Sequence, residues 1–373
     1  MDPALELFDE PIRSWFLRRF GDPTPVQSRA WHEIAADHHV LVSAPTGSGK
    51  TLSAFLWALG RLLSGHWPAN AVSVLYVSPL KALNSDIRRN LSEPLAELEE
   101  AYRAAGATPA EVSVLTRSGD TPQSERQRML RRPPSILITT PESLNLILSS
   151  PRARGMLTTL RTVILDEIHA LAGTKRGTHL LSAVERLTLL SGEFQRISMS
   201  ATVRPLSTVA AFVGGYRRRS RTESSHAADT AAHGTPAAVD NAYEARPVRT
   251  VSEENTKLLD IRVEGTDAAD SPDLWQQLTQ RFLEIVEEHR STLFFTTNRR
   301  HAERIALLIN EASGREIAYA HHGSLSKEVR GFVEEQLKRG RLRAIVATTS
   351  LELGIDVGSI DRVVLVGAPF SVS

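Results

Sequence analysis

Residues 44 to 51 read Ala44-Pro45-Thr46-Gly47-Ser48-Gly49-Lys50-Thr51. The short apolar run His39-Val40-Leu41-Val42-Ser43 precedes them, and Leu52, Phe55, Leu56, Leu59, Leu62 and Leu63 follow at helical spacing. The order is therefore strand, glycine loop, helix. Gly47 and Gly49 open backbone conformations closed to other residues and turn N–H groups toward a phosphate chain, while the new helix presents its positive dipole end. In such a loop Lys50 reaches the β- and γ-phosphates and the Thr51 hydroxyl ligates Mg²⁺. Ala44 stands where the pattern usually has its first glycine. The stretch predicts a nucleoside triphosphate held at the edge of an α/β sheet.

Upstream, Leu5, Phe8, Ile12, Phe16 and Phe20 alternate with charges as an amphipathic helix interrupted near Pro11. Pro23-Thr24-Pro25-Val26-Gln27 then makes a rigid turn. Gln27 offers a donor and an acceptor together, which the N6 and N7 edge of adenine needs; taken alone, a surface glutamine is the commoner reading.

Downstream, apolar runs at 72–77, 112–115, 136–138, 163–165 and 197–199 alternate with helix-period segments. That alternation predicts a mainly parallel sheet with helices on both faces, whose ligands gather at the carboxyl ends of the strands. Polar stretches follow each run: Ser78 to Leu83, Arg117 to Thr121, Thr139 to Glu142, Asp166 to His169 and Ser200 to Thr202. Asp166 at the tip of an apolar strand is placed to hold Mg²⁺ beside Thr51, and Glu167 to polarise the attacking water. A lone Asp-Glu pair is more often a solvated loop, and His169 alone reads equally as structural; the glycine loop is what favours chemistry. Thr140-Pro141 is an N-cap followed by a first-turn proline, and such a helix start can also bind phosphate.

After Gly214 the pattern breaks into Tyr216-Arg217-Arg218-Arg219 and an alanine-rich polar tract, which predicts a linker over 215–246. A second strand and helix series begins near Val248, with apolar runs at 258–263, 293–295, 317–319, 344–346 and 363–366 and helices around 274–288, 300–312 and 327–338. Ala302, Ile305, Ala306 and Ile309 mark one buried helix face, and Val329, Phe332, Val333 and Leu337 another. The His321-His322 pair lacks further ligands at metal spacing, which ranks zinc below a phosphate-contact or structural role.

The chain has 373 residues, enough for two domains with full cores. Lys+Arg 44 against Asp+Glu 43 gives a net charge of +1, so nucleic-acid binding has to come from local patches. Absent cysteine excludes disulfides, thiolate zinc sites and cysteine nucleophiles. With no basic and apolar leader and no run of 18 apolar residues, the expectation is a soluble cytoplasmic protein that does not enter a membrane.

Together these residues resemble the superfamily-2 DExH-box helicases, and more closely their Lhr (large helicase-related) group. The resemblance runs through Thr24-Pro25-Val26-Gln27, residues 44–51, Ser78 to Leu83, Arg117 to Thr121, Thr139 to Leu144, Asp166-Glu167-Ile168-His169, Lys175-Arg176-Gly177, Ser200-Ala201-Thr202, His321 to Ser326 and Ala347 to Asp356. Ala44 is the family's own habit. The resemblance implies two tandem RecA-like domains, 1–214 and 247–373, with ATP in the cleft between them and single-stranded nucleic acid across their tops. It assigns Gln27 to adenine, Thr46, Gly47, Ser48, Gly49, Lys50 and Thr51 to phosphates and Mg²⁺, Asp166 and Glu167 to metal and water, and His169, Ser200 and Thr202 to coupling. Gly354 and Asp356 would close on the nucleotide from the second domain. Nucleic-acid contacts would come from Lys81, Arg117, Gly119, Thr140, Pro141, Thr297, Arg299, His322, Gly323, Ser324 and Thr348.

The function so implied is an ATP-dependent helicase or translocase, a monomer moving 3′ to 5′ on single-stranded DNA or RNA–DNA hybrid in genome maintenance. Thr297-Asn298-Arg299 departs from the family's usual Asn-Ser/Thr-Arg. The chain ends at Ser373, before the family's Gln-Arg-x-Gly-Arg helix, from which weak hydrolysis is expected; arginine fingers contribute ~10³ to 10⁵ in turnover. The competing readings are an ATP-gated nucleic-acid clamp and, less well matched to the second half, a small-molecule kinase.

Overall fold

The computed structural model describes residues 2–45, 47–79, 81–219, 242–253, 260–265, 274–339, 341–348 and 360–367. Thr46, Gly354 and Asp356 of the expected nucleotide site lie outside these residues. The chain forms two compact units, Met1–Thr256 and Lys257–Ser373.

In chain order the first unit contains strands β1 (His39–Ser43), β2 (Val74–Val77), β3 (Val114–Arg117), β4 (Ile136–Thr139), β5 (Thr162–Leu165), β6 (Gln195–Ser200), β7 (Tyr216–Arg218), β8 (Tyr243–Ala245) and β9 (Val248–Ser252). Seven of them make one parallel sheet in the order β3-β4-β2-β5-β6-β1-β9. Period-2 alternation divides its side chains between two cores. Val40, Val42, Val74, Tyr76 and Ile164 face the helices Pro25–Ala35 and Lys50–Leu63, whereas Leu41, Leu75, Val77, Val163 and Leu165 face Pro141–Ser149 and Lys175–Ser191. Helices cover both faces, as the alternation predicts.

The second unit carries β10 (Thr292–Thr296), β11 (Ala318–His321), β12 (Ala344–Ala347) and β13 (Arg362–Val366) in a parallel sheet ordered β11-β12-β10-β13. Helices Leu274–Glu288, Arg299–Ser313 and Lys327–Lys338 fall where the apolar period places them. Ala302, Ile305, Ala306 and Ile309 are all buried. Among the described residues no helix is long and apolar enough to cross a membrane.

Several expectations are corrected. Val248–Ser252 does not open the second unit: it lies parallel to β1 as the edge strand of the first sheet. The boundary accordingly moves from 247 to the far side of Thr256. The expected linker 215–246 begins and ends in an antiparallel ribbon, Tyr216 opposite Ala245 and Arg218 opposite Tyr243. Residues 260–265 form no strand, and Ile261 and Val263 are exposed. On helix Lys327–Lys338, Val333 is buried but Val329 and Phe332 are exposed, so the apolar stripe is narrower than its period suggests.

At the starting edge of the first sheet a buried ionic cluster ties the returning chain down. Arg196, only 1% exposed, donates through Nη1 to Glu185 Oε1 (2.9 Å) and to the Gly214 carbonyl (2.8 Å). Arg246 donates to Glu185 and, through Nε and Nη2, to both oxygens of Glu193 at 2.9 Å. The His39 ring accepts the Arg196 backbone N–H at Nδ1 (3.1 Å). Burial, then the Arg196 and Arg246 charges, push His39 down from 6.5 to about 4. An unfolded ring takes its proton near 6.5 and the folded one holds out to about 4, so protons favour unfolding across that window. Stability is therefore complete above the upper value and lost on acidification through the lower, by ~1–2 kcal/mol after discounting for the ring's partial exposure. Thermal melts against pH check this, and His39→Asn, which retains an acceptor, is expected to flatten the slope.

Candidate nucleotide and nucleic-acid sites

Strand order decides which loops meet. β6 lies between β1 and β5, and because all three are parallel, Ser200-Ala201-Thr202 emerges between the glycine loop and Asp166-Glu167.

The loop after β1 turns through Gly47 (φ +83°) and Gly49 (φ +82°), the latter capping helix Lys50–Leu63. A Cβ on Gly49 would stand 2.4 Å from Gln27 Nε2, so Gln27 lies against the glycine loop. Gln27 is also the third residue of a capping box. Its Oε1 accepts the Thr24 N–H at 2.9 Å, while Thr24 Oγ1 donates to the Ser48 carbonyl at 3.2 Å. The amide's acceptor is thus engaged by the backbone, and its Nε2 donor faces the loop. Gly49→Ala combines a left-handed φ with this close approach, and is expected to weaken binding of a fluorescent ATP analogue about tenfold or more, as a strain of ~1–2 kcal/mol dictates.

Lys50 Nζ donates to the carbonyls of Ala44 and Pro45, the latter at 2.7 Å. Burial lowers its pKa, and the Glu167 and Asp166 carboxylates oppose that shift. Asp166 is buried; Tyr76 Oη donates to its Oδ2 and the Glu167 N–H to its Oδ1 at 2.8 Å. Burial and then the neighbouring Glu167 charge raise Asp166 from 3.8 to about 6. Glu167 sits at φ +50°, a left-handed conformation uncommon outside glycine and frequent where geometry serves a site. Burial raises its carboxyl as well, against the pull of Lys50.

His169 links this centre to the next strand. Its Nδ1 accepts the Ala201 N–H at 3.2 Å and lies 3.3 Å from Glu167 Oε2. One nitrogen cannot accept from Ala201 and donate to Glu167 at once; burial, which lowers the ring's pKa, favours the neutral form bonded to Ala201. Ser43 Oγ donates to the Ala201 carbonyl (3.1 Å) and the Ala44 N–H to the Ser200 carbonyl (3.2 Å), closing the path back to the glycine loop. Ser200 Oγ is buried without a partner, and Thr202 is exposed. The Thr51 hydroxyl, on the first helical turn, and the Asp166 carboxylate are hard oxygen donors. That set fits Mg²⁺, which takes one or two carboxylates and completes its shell with phosphate and water. Among the described residues no three His, Asp or Glu groups converge as a metal cluster, His321 and His322 included.

The expected nucleic-acid residues of the first unit follow β2, β3 and β4 on the same edge. Lys81 opens helix Lys81–Ala104. Arg117 ends β3 with Nη1 buried and unpartnered, and burial, then the nearby Arg126 charge, lower its pKa. Arg126, which sequence reasoning missed, shapes that loop by donating to the carbonyls of Thr121 (2.8 Å), Gly119 (2.9 Å) and Ser118 (3.2 Å). Thr140 is buried, and its hydroxyl accepts the Ser143 N–H as an N-cap, so any phosphate contact at Thr140-Pro141 falls to the backbone. Arg176 binds Glu142 and the Pro79 carbonyl, bracing two of these loops. Burial pushes the Glu142 carboxyl up, but the Arg176 bonds outweigh it and hold the group below its usual range.

In the second unit Thr297 is exposed after β10, and Arg299 Nη1 donates to Ser324 Oγ at 2.8 Å beside exposed Gly323. The Thr348 N–H, past β12, donates to the His321 carbonyl at 3.2 Å. Thus 297, 299, 323, 324 and 348 share the carboxyl edge of this sheet. His322 does not join them: it is 3% exposed, with Nε2 at 2.9 Å from Glu303 Oε1. Its expected phosphate contact is not presented by the side chain.

Residues 24–210 match the DEAD/DEAH box helicase family and residues 275–373 the helicase conserved C-terminal domain. The chain is 46% identical, over 99% of its length, to ATP-dependent helicase Lhr-Core protein 2 of Thermococcus barophilus, of which it covers 41%. It is 43% identical to an Lhr helicase/probable uracil glycosylase of Mycolicibacterium smegmatis, spanning all of this chain and 25% of that protein. The solved Mycobacterium smegmatis helicase Lhr, bound to ssDNA and AMP-PNP, superimposes with a TM-score of 0.79 at 43% identity, covering 98% of this chain and 45% of that one. The chain thus spans between a quarter and two fifths of the length of these curated relatives.

Proposed function

Since the chain belongs to the DEAD/DEAH box helicase family and within it to the Lhr group, with tandem RecA-like domains, we propose that it is the ATP-driven motor core of a helicase moving on single-stranded DNA or RNA–DNA hybrid. The observation that carries the reading is the path from Glu167 through His169 to Ala201 and on to Ser43 and Ala44. It joins the residue that would activate water to the loop that would hold phosphate.

In this reading the N–H groups around Gly47 and Gly49 receive the triphosphate, and Lys50 exchanges the Ala44 and Pro45 carbonyls for phosphate oxygens. Thr51 and Asp166 hold Mg²⁺, which supplies neutralisation of charge on the phosphates. Tyr76 Oη holds one oxygen of Asp166 and the Glu167 N–H the other, so the ion would be met by the remaining lone pairs of an already oriented carboxylate. Glu167, its basicity raised by burial, accepts the proton of the attacking water. His169 has two alternative partners, Ala201 and Glu167, and so reports the charge at Glu167 to β6. Arg117, the loop braced by Arg126, and the Arg299–Ser324 pair meet phosphates rather than bases, which makes movement independent of sequence. A DNA substrate is supported by the ssDNA in the related Lhr structure, and genome maintenance by the name of the relative that joins helicase to uracil glycosylase.

The test is ATP turnover by this chain with and without single-stranded DNA, beside Lys50→Ala. Stimulation by DNA that disappears in the variant is expected. Turnover indifferent to both DNA and Lys50 overturns the proposal.

A further inference from the structure

A second pocket lies on the opposite edge of the first sheet. This cavity, ≈ 650 Å³, opens where three strands begin: His39 starts β1, Arg161 precedes β5 and Gln195 starts β6. The five residues of β1 separate it from the glycine loop, about 15 Å of extended chain. No residue assigned above to nucleotide or nucleic acid lines it.

Its walls combine flat aromatic surface with free positive charge. Trp57 and Trp67 are half-buried, and the Arg61 guanidinium lies over the Trp57 ring, 5.8 Å from its centroid. Arg217 also lines it but is paired with Glu244 on the ribbon, and Glu193 is taken by Arg246. Among the described residues Arg61 and Arg161 have no carboxylate partner, which leaves two guanidiniums against the single carboxylate of Asp37. His39 accepts the Arg196 N–H at Nδ1, so its Nε2 carries the proton and adds a neutral donor to the lining.

Indoles stack on planar rings of any sequence, and guanidiniums bind phosphate as a fork. A volume of ≈ 650 Å³ falls within the ~300–1,000 Å³ usual for small-ligand sites. We propose that this pocket takes one nucleotide unit, its base on the tryptophans and its phosphate on Arg61 and Arg161. The unit is either a free nucleoside monophosphate or one residue of a single strand held on the face away from the motor site.

Two probes distinguish these sources: thymidine monophosphate and a 5′-phosphorylated oligothymidylate, each titrated against the full chain with Mg²⁺ and AMP-PNP in excess. The double variant Arg61→Ala/Arg161→Ala is expected to weaken binding of at least one probe about tenfold or more, the loss of charge-assisted bonds to phosphate. Trp67→Ala is expected to weaken the same probe without changing the charge. Both arginines stand outside the motor site, so DNA-free ATP turnover and the melting temperature should remain near wild type. Loss with both probes assigns the pocket to a strand, and loss with the monophosphate alone to a free nucleotide. Equal binding by wild type and double variant, no binding of either probe, or binding abolished by Lys50→Ala while insensitive to the arginines overturns the proposal. Since that readout does not depend on Lys50 or Glu167, it can fail while the motor assignment stands.

Discussion

Glu167→Gln is expected to bind ATP and Mg²⁺ as tightly as wild type while losing turnover by ~10³, the middle of the range a positioned general base supplies. The substitution keeps the size and planarity of the side chain and removes the group that takes the proton. Asp166 keeps both partners, because the bond from residue 167 to its Oδ1 comes from a backbone N–H. The variant also removes the negative charge that raises Asp166, and an amide nitrogen at 167 can donate to His169 Nδ1 only in place of the Ala201 N–H. The measurement is single-turnover hydrolysis beside equilibrium binding of a fluorescent ATP analogue. Unchanged turnover would remove Glu167 from the chemistry; equal loss of binding and turnover would make it a structural residue.

Arg196→Ala is expected to destabilise the first unit by about 3 kcal/mol, in the range for breaking a buried ion pair. The guanidinium is 1% exposed and connects Glu185 with the carbonyls of Val213 and Gly214, at the end of helix Leu206–Gly214. Truncation leaves the buried Val213 carbonyl without its side-chain donor, while Gly214 keeps Arg246 Nη1 at 3.1 Å, and opens a cavity beneath β6. Arg246 still neutralises Glu185, and Arg196 Nε and Nη2 already lack partners, which keeps the figure below the largest values known for such pairs. For a unit of this size the loss corresponds to a fall in Tm of roughly 6–12 °C. Denaturant titration checks it: a change in midpoint at constant slope supports the account, whereas a loss under about 1 kcal/mol would show that the cluster is redundant.

The candidate nucleotide site was legible because the chemistry proposed for it is written in short segments. Glycines at 47 and 49 with a lysine after them make one such segment, and an acidic pair at the end of an apolar strand, Asp166-Glu167, makes another. Gln27 was legible for the same reason, although its contact with Gly49 had to be seen in three dimensions. Tyr76 and Arg126 were not. Tyr76 reads as one more aromatic in a core strand, and only the order of β2 beside β5 puts its hydroxyl on Asp166. Arg126 reads as an exposed helix charge until its loop folds back on it. His322 was misplaced because a motif states which residue is present but not which way it turns, and Glu303, on a neighbouring helix, decides that. The most consequential error was Val248–Ser252. Its mixture of Val, Arg and Thr suits the start of a new domain or the edge of an old one equally well, and pairing with β1 is a long-range choice that no local pattern records.

That pairing changes the status of the ribbon. Because Tyr216 meets Ala245 and the chain then rejoins the parent sheet, the chain leaves the ribbon at Arg218 and returns to it at Tyr243 within the first unit, a closed excursion rather than a passage to the second. Doubling the length of such a closed excursion costs only ~0.6 kcal/mol in closure entropy. A fluorescent reporter or an affinity module inserted between the two strands of the ribbon would therefore enter a segment whose ends are both held by the first unit, leaving the chain after Ser252 unchanged.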